Sequence, residues 1–307
     1  MEDKQYDIIV VGAGPAGLTA AIYGRRAGKS VLVLEKETFG GQMTRSPKIE
    51  NYPGFPVISG VDLGERLMGQ TLQLGAEMDV DNVTDVVDFG DCRGVITERG
   101  QYIAKTVIIA AGSKPRTLGL EKEDVFTGNG VSYCVLCDGA FYADMDVAIV
   151  GGGNTALQSA VLLADTCRKV TIIQNLPQLT GEQTLIDNLT ARDNVTVVYN
   201  TIVLELQGTD SLISVKLRNT ELKTDSVLPV KGLFVAIGQV PENEPFAMVA
   251  ELDKNGYIVA GEDCKTSTPG VFVAGDCRTK NIRQIATAAG DGAAAALAAC
   301  RFIDSGK

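Results

Sequence analysis

"YDIIVVGAGPAGLTAAIYGRRAG" (residues 6–28) reads as a strand, a tight turn and a helix. Its apolar run ends at Gly12, Gly14 and Gly17, which spell G-x-G-x-x-G. The first glycine permits the turn, the second lets a pyrophosphate approach the backbone, and the third lets helix and strand pack closely. The next apolar run, SVLVLEK (30–36), ends in Glu35, placed to accept from ribose hydroxyls. Strand, turn, helix and terminal acid together predict an α/β nucleotide-binding unit.

The stretch DVAIVGGGNTALQSAVLLAD (146–165) repeats the pattern with Gly151, Gly153 and Ala156. Glu35 and Gln174 each lie 23 residues beyond the first glycine of their turn, so the two recognition corners are in register. A ribose diol asks for a carboxylate at that corner and a 2′-phosphate asks for arginines. The second corner offers Gln174, Asn175, Leu176 and Pro177. The second unit therefore reads as a retained scaffold that no longer binds a nucleotide. Further strands are expected in KTVIIAAGSKPR (105–116) and VKGLFVAIGQVPE (230–242), where the chain crosses between domains. GVFVAGD (270–276) delivers Asp276 at the carboxyl end of a strand, where open parallel sheets bind ligands. The Ala-rich stretch after it reads as a buried helix whose small residues allow close packing.

Between the two glycine turns lies GVSYCVLCDGAFY (130–142). The C-x-x-C of Cys134 and Cys137 suggests a thiol–disulfide centre, with Asp138 beside it to donate or accept a proton. Half of a zinc site is the competing reading. It fails because the chain has no second C-x-x-C and no histidine to complete a tetrahedron, so no metal is expected. Cys92, Cys167, Cys264, Cys277 and Cys300 stand in apolar or turn contexts and read as packing residues.

Composition narrows the chemistry. With 307 residues there is material for two domains. The absence of histidine excludes a Ser-His-Asp triad and a Cys-His pair. A net charge of −10 argues against nucleic acid as a partner. No apolar run is long enough to span a membrane. The start, MEDKQYDIIVVGAG, lacks the layout of a signal peptide, and seven cysteines without one suggest a reducing, cytoplasmic location.

The motifs GAGPAG, GGQM, IENYPGF, C-x-x-C-D-G, GGGNTA, GVFVAGD and RQIATAAGDGA occur in this order. Together they resemble the low-molecular-weight thioredoxin reductases over nearly the whole chain. The resemblance implies two Rossmann-like three-layer α/β domains, the second inserted into the first. Residues 1–115 and 243–307 would form an FAD-binding domain, and 116–242 a redox-active dithiol domain. It implies that Gly12, Gly14, Gly17 and Glu35 hold the adenosine diphosphate half of FAD. Gly41, Gln42 and Asn51 would lie along the flavin side. Asp276 would hold the ribityl chain, and Arg283, Gln284 and Ala286 would border the isoalloxazine ring. It also implies thioredoxin as a partner and a homodimer.

Three departures matter, the first two for the electron donor and the third for the docking of thioredoxin. The basic His-Arg-Arg-x-x-x-Arg motif of such reductases is replaced by Gln174, Asn175, Leu176 and, further on, Thr180. Their G-G-G-D-S-A becomes GGGNTA, with Asn154 and Thr155, and Ala140 stands before Phe141 and Tyr142 where more aromatic character is expected. The chain is thereby most similar to the ferredoxin-dependent flavin thioredoxin reductases, which implies ferredoxin rather than NADPH as donor. Alternatives are an NADPH enzyme with a rewritten site, a flavin-dependent dithiol oxidase, and a redox-sensing flavoprotein without catalysis. Arg25, Arg26, Lys29, Arg45 and Lys48 are a candidate basic patch for an acidic ferredoxin, against the plainer reading of solvated surface charge.

Overall fold

The computed structural model describes residues 5–46 and 49–306, so Lys48 of the candidate patch lies outside the described residues. The chain divides into two compact units, 1–114 with 240–307, and 115–239. The sequence sets the crossings after 115 and 242; the packing sets them after 114 and 239.

In the first unit, β1 (Gln5–Val11) enters the glycine turn and α1 (Pro15–Arg26), followed by β2 (Val31–Glu35). α2 (Gly60–Gln73) is capped by Ser59, whose hydroxyl accepts from the Asp62 amide at 3.0 Å. β3 (Glu77–Val80) joins the sheet edge, and β4 (Val83–Asp88), β5 (Arg93–Thr97) and β6 (Gln101–Ile109) form an antiparallel meander. The order is β3-β2-β1-β6-β5-β4. β6 is long enough to pair twice beyond β1: its first half with β5, its second half with Val271–Val273. Ile8 and Val10 of β1 are buried among α1 residues such as Leu18, while Ile9 and Val11 pack on the other face with Phe246, Val249 and Ile258. A strand covered on both faces has no polar side to show, which is why it reads as an unbroken apolar run.

The chain passes into the second unit within β7 (Lys114–Pro115) and continues through α3 (Glu123–Phe126), β8 (Val131–Ser132) and α4 (Val135–Asp138). β9 (Asp146–Val150), α5 (Asn154–Thr166), β10 (Lys169–Ile173), α6 (Gln183–Thr190) and β11 (Val195–Val198) repeat the nucleotide-fold alternation. β12 (Thr201–Gly208), β13 (Leu212–Asn219) and β14 (Thr224–Pro229) form a separate antiparallel sheet. β15 (Gly232–Val235) returns to the parallel sheet, ordered β11-β10-β9-β15-β8, and β16 (Gln239–Val240) leads out. Val147, Ile149, Val170 and Ile172 pack with α5, and Ala148, Ile173, Leu233 and Val235 pack with Val203, Leu206 and Val215 of the antiparallel sheet. These are the three layers of this unit.

The chain ends in the first unit with β17 (Val271–Val273) and α7 (Ile285–Asp304). The alanine run of α7 has a steric cause. A Cβ on Gly292 would come within 2.1 Å of Ala16 O, so the helix lies directly on the backbone of α1. The architecture is two Rossmann-like three-layer units, the second inserted into the first. Among the described residues no helix is long and apolar enough to cross a membrane, and no group of His, Cys, Asp or Glu could hold a metal ion.

Candidate active site

The first glycine turn is tight for visible reasons. Gly12 sits at φ +104°, where a side chain would be strained, and a Cβ on Gly17 would meet Gly12 O at 1.8 Å. Gly14 faces open space, which leaves the turn free on the side where a ligand would approach. Glu35, buried at the end of β2, is aimed by two amides: Ala13 N donates to Oε2 at 2.7 Å and Glu37 N to Oε1 at 2.9 Å. Gly41 backs onto the same turn, since a Cβ there would lie 3.0 Å from Gly14 Cα.

Asp276 follows β17, and its Oδ1 is buried without a hydrogen-bond partner. Burial pushes this carboxyl above its ordinary range, and the charges of Lys280 and Arg283 only partly offset it. An orphaned acceptor of this kind fits a ligand hydroxyl. Arg283 donates through Nε to Asp276 O at 3.4 Å and lays its guanidinium 4.2 Å from the Tyr257 ring centroid. Asn51 Nδ2 donates to Gln284 Oε1 at 3.2 Å, so the NYPGF loop and the start of α7 meet. Gln42 and Ala286 are exposed. The donor set, two carboxylates and a glycine cradle, fits a hydroxylated dinucleotide such as FAD.

A residue that sequence reasoning missed holds this loop. Asp291 of α7 accepts from Gly275 N at 3.0 Å, from Arg278 Nε at 2.9 Å and Nη2 at 2.8 Å, and from Lys280 Nζ at 2.8 Å. It fixes the turn that carries Asp276. The only sequence signal was one acid inside an alanine run. Of the candidate basic patch, Arg26 and Arg45 are exposed, while Arg25 and Lys29 are engaged within the unit. Arg25 donates to Leu74 O and Lys29 O, and Lys29 pairs with Asp304.

In the second unit Cys134 and Cys137 form a disulfide across the first turn of α4, with Cα atoms 5.3 Å apart. Cys137 N donates to Cys134 Sγ at 3.2 Å. Asp138 accepts from Ser132 Oγ at 2.6 Å through Oδ2, while its Oδ1 is buried without a partner. Burial raises its pKa, opposed by the Ser132 hydrogen bond. The other five cysteines are free, and four of them are buried.

The second glycine turn differs from the first. Gln174, 3% exposed, folds back so that its Nε2 donates to Gln178 O at 2.9 Å. A Cβ on Gly152 would strike that amide at 2.4 Å. Thr180 donates to Gly152 O from its backbone at 2.8 Å and from its hydroxyl at 3.2 Å. Glu182 closes the lid: its amide donates to Asn154 Oδ1 at 2.7 Å and its carboxylate accepts from Asn154 Nδ2 at 3.0 Å. The segment after β10 thus packs on the second glycine turn at Gly152 and clasps Asn154, while Asn154 and Thr155 at the start of α5 remain exposed.

The sequence pattern of the pyridine nucleotide-disulphide oxidoreductase family matches residues 6–292. The chain belongs to this family. Within it, the chain is 39% identical to a thioredoxin reductase of Listeria innocua, over 99% of this chain and 95% of that protein. It is also 39% identical to a 34.2 kDa protein in the rubredoxin operon of Clostridium pasteurianum, over 98% of both. The crystal structure of thioredoxin reductase from Streptococcus pyogenes superposes with a TM-score of 0.94 at 38% identity, covering 99% of this chain and all of that one.

Proposed function

We propose that this family member is a flavoprotein disulfide reductase that takes electrons from reduced ferredoxin and delivers them through Cys134 and Cys137 to thioredoxin. FAD, held by Gly12, Gly14, Gly17, Glu35 and Asp276, supplies the conversion between one-electron and two-electron transfer when bound. Gly41, Gln42, Asn51, Arg283, Gln284 and Ala286 line its flavin end in this reading. The likeness to proteins named thioredoxin reductase supports the acceptor.

One observation supports this donor: the chain's own segment 174–182 packs on the second glycine turn, with the Gln174 side chain over Gly152. Glu182 sets a carboxylate against Asn154 at the start of α5, where a dinucleotide would need to place phosphate. No arginine stands at 174–180 to pair with a 2′-phosphate. A relative from a rubredoxin operon is consistent with a one-electron iron protein as donor. The potentials allow it. Plant-type ferredoxins lie near about −400 mV and thioredoxin near about −270 mV, a drop worth about 6 kcal/mol over two electrons.

The competing donor is NADPH entering after the segment moves aside. Anaerobic stopped-flow mixing of the FAD-loaded protein with each donor, read as flavin bleaching, decides between them. Reduced ferredoxin should bleach the flavin at catalytic rate. Bleaching by micromolar NADPH at that rate would sink the ferredoxin reading, and oxygen uptake with small dithiols would favour a dithiol oxidase instead.

A further inference from the structure

We propose that Ser132 is a positioning residue for the proton that accompanies disulfide exchange: its hydroxyl ties the Cys134 backbone to Asp138 Oδ2 and leaves Oδ1 as the atom that carries the proton. The inference rests on the reading of Cys134–Cys137 as the transferring disulfide.

The geometry is a short chain. Cys134 N donates to Ser132 Oγ at 3.1 Å, and Ser132 Oγ donates to Asp138 Oδ2 at 2.6 Å. The Asp138 amide closes the loop by donating to Cys134 O at 3.0 Å. Ser132 is 4% exposed, so water does not compete freely for its hydroxyl. An ionised oxygen buried without a donor is costly, whereas a protonated one can wait there for an acceptor. Oδ1 is such an atom.

The surroundings are otherwise quiet. Tyr142, in the 3-10 segment after α4, has its phenol raised by burial and then by the Asp138 charge. α5 brings the apolar Leu163 against Gly139, and β8 contributes Ser132 itself. Among the described residues the Ser132 hydroxyl is the hydrogen-bond donor that meets the Asp138 carboxylate, and that bond opposes the effect of burial.

The exchange balances as follows. A thiolate of the reduced pair attacks the substrate disulfide, forming a mixed disulfide. The first substrate sulfur leaves and takes the proton from Asp138. The remaining enzyme thiol returns a proton to the Asp138 carboxylate. Its sulfur then attacks the mixed disulfide, re-forming Cys134–Cys137 and releasing the second substrate sulfur. The enzyme pair is oxidised by two electrons and the substrate disulfide is reduced by two.

The test uses the FAD-loaded protein with its dithiol pre-reduced by dithiothreitol. Rates are followed against pH with two probes. 2-Hydroxyethyl disulfide has a basic leaving thiolate that needs a proton, and an aryl disulfide has an acidic one that does not. In Ser132→Ala the falling limb of the alkyl-disulfide profile should move alkaline by about 1–2 pH units, as expected for loss of one hydrogen bond to a charged group. The aryl-disulfide rate should hold. Ser132→Thr, which keeps the hydroxyl, should restore the limb, and Ser132→Ala should add nothing in an Asp138→Asn background. An unmoved limb, or an equal loss with both probes, overturns the role of Ser132. If Asp138→Asn itself leaves the profile unchanged, the failure lies in the reading of the dithiol site.

Discussion

The side chain of Gln174 lies over Gly152, close enough that a Cβ on the glycine would come within 2.4 Å of the glutamine Nε2. The corner that faces a ribose in a working nucleotide fold is therefore filled as well as neutral. A charge-assisted hydrogen bond to phosphate is worth about 1.5–3 kcal/mol, so a corner without two such partners at Asn175 and Leu176 should bind NADPH about 10²–10⁴-fold more weakly than one that has them. Glu182→Arg should recover part of that affinity. That change removes the carboxylate half of the clasp, the bond from Asn154 Nδ2, while the residue-182 amide still donates to Asn154 Oδ1, and it replaces a repelling carboxylate with a phosphate partner. Flavin bleaching by NADPH should quicken in this variant while bleaching by ferredoxin stays as it was. A variant as inert to NADPH as the parent would mean that the segment does not control entry.

The first unit was largely legible. Ile8 to Val11 form an unbroken apolar run because both faces of β1 are covered, and the glycine spacing at 12, 14 and 17 has one common structural meaning. What the sequence hid is contact made by single polar residues. Ser132 is one serine in a two-residue strand, and its value comes from Asp138 folding back six residues later. Asp291 matters because α7 returns to the turn after β17, a relation set by tertiary packing. Gln174 was readable as a missing carboxylate, but its folding over Gly152 depends on the path of residues 175–182.

Glu35→Ala and Asp276→Ala should each loosen FAD by about 10–100-fold, the worth of one hydrogen bond to a charged acceptor. Their effects on the flavin-free protein should differ. Glu35 accepts from two backbone amides, so its loss should also lower the melting temperature. Asp276 keeps an unpartnered buried oxygen and a raised pKa. Its native state holds the proton more tightly than the unfolded chain. Stability is thus present at acid pH and drains away as pH rises from the ordinary carboxylate value to the raised one. Flavin-free Asp276→Ala should melt no lower than the parent at neutral pH. Flavin fluorescence titration and thermal melts read both quantities, and full FAD occupancy in both variants would move the site elsewhere.

Cys134→Ser or Cys137→Ser should abolish thioredoxin reduction and leave the flavin reducible by a strong one-electron donor, because disulfide chemistry needs both sulfurs. The remaining thiols should not substitute. Burial pushes Cys277 up to about 12 and Cys264 up to about 11, so neither forms an appreciable thiolate at neutral pH. Iodoacetamide after mild reduction should label Cys134 and Cys137 before either. Thioredoxin turnover that survives in one of the serine variants would place the redox centre at another pair.

Asp291→Ala should be among the most damaging single changes in the first unit. Arg278 and Lys280 are 5% and 8% exposed at the side chain, and both lean on this one carboxylate. Removing one partner of a buried ion cluster leaves charge uncompensated and typically costs about 3–5 kcal/mol. Burial works to raise the Asp291 pKa, but the hydrogen bonds and charges of Arg278 and Lys280 together hold it below the usual carboxylate range. A depressed native pKa means the unfolded chain binds the proton more readily. The stabilisation is therefore complete above the ordinary carboxylate pKa near about 4 and is lost as pH falls through the native value. Asp291→Asn should melt lower than the parent at pH 7 and should lose less of its remaining stability on acidification. Because the turn at Gly275 hangs on the same carboxylate, FAD should also leave this variant faster. Calorimetry across the acid range, paired with flavin release, measures both, and a parent-like acid limb in Asp291→Asn would assign that limb to other carboxylates.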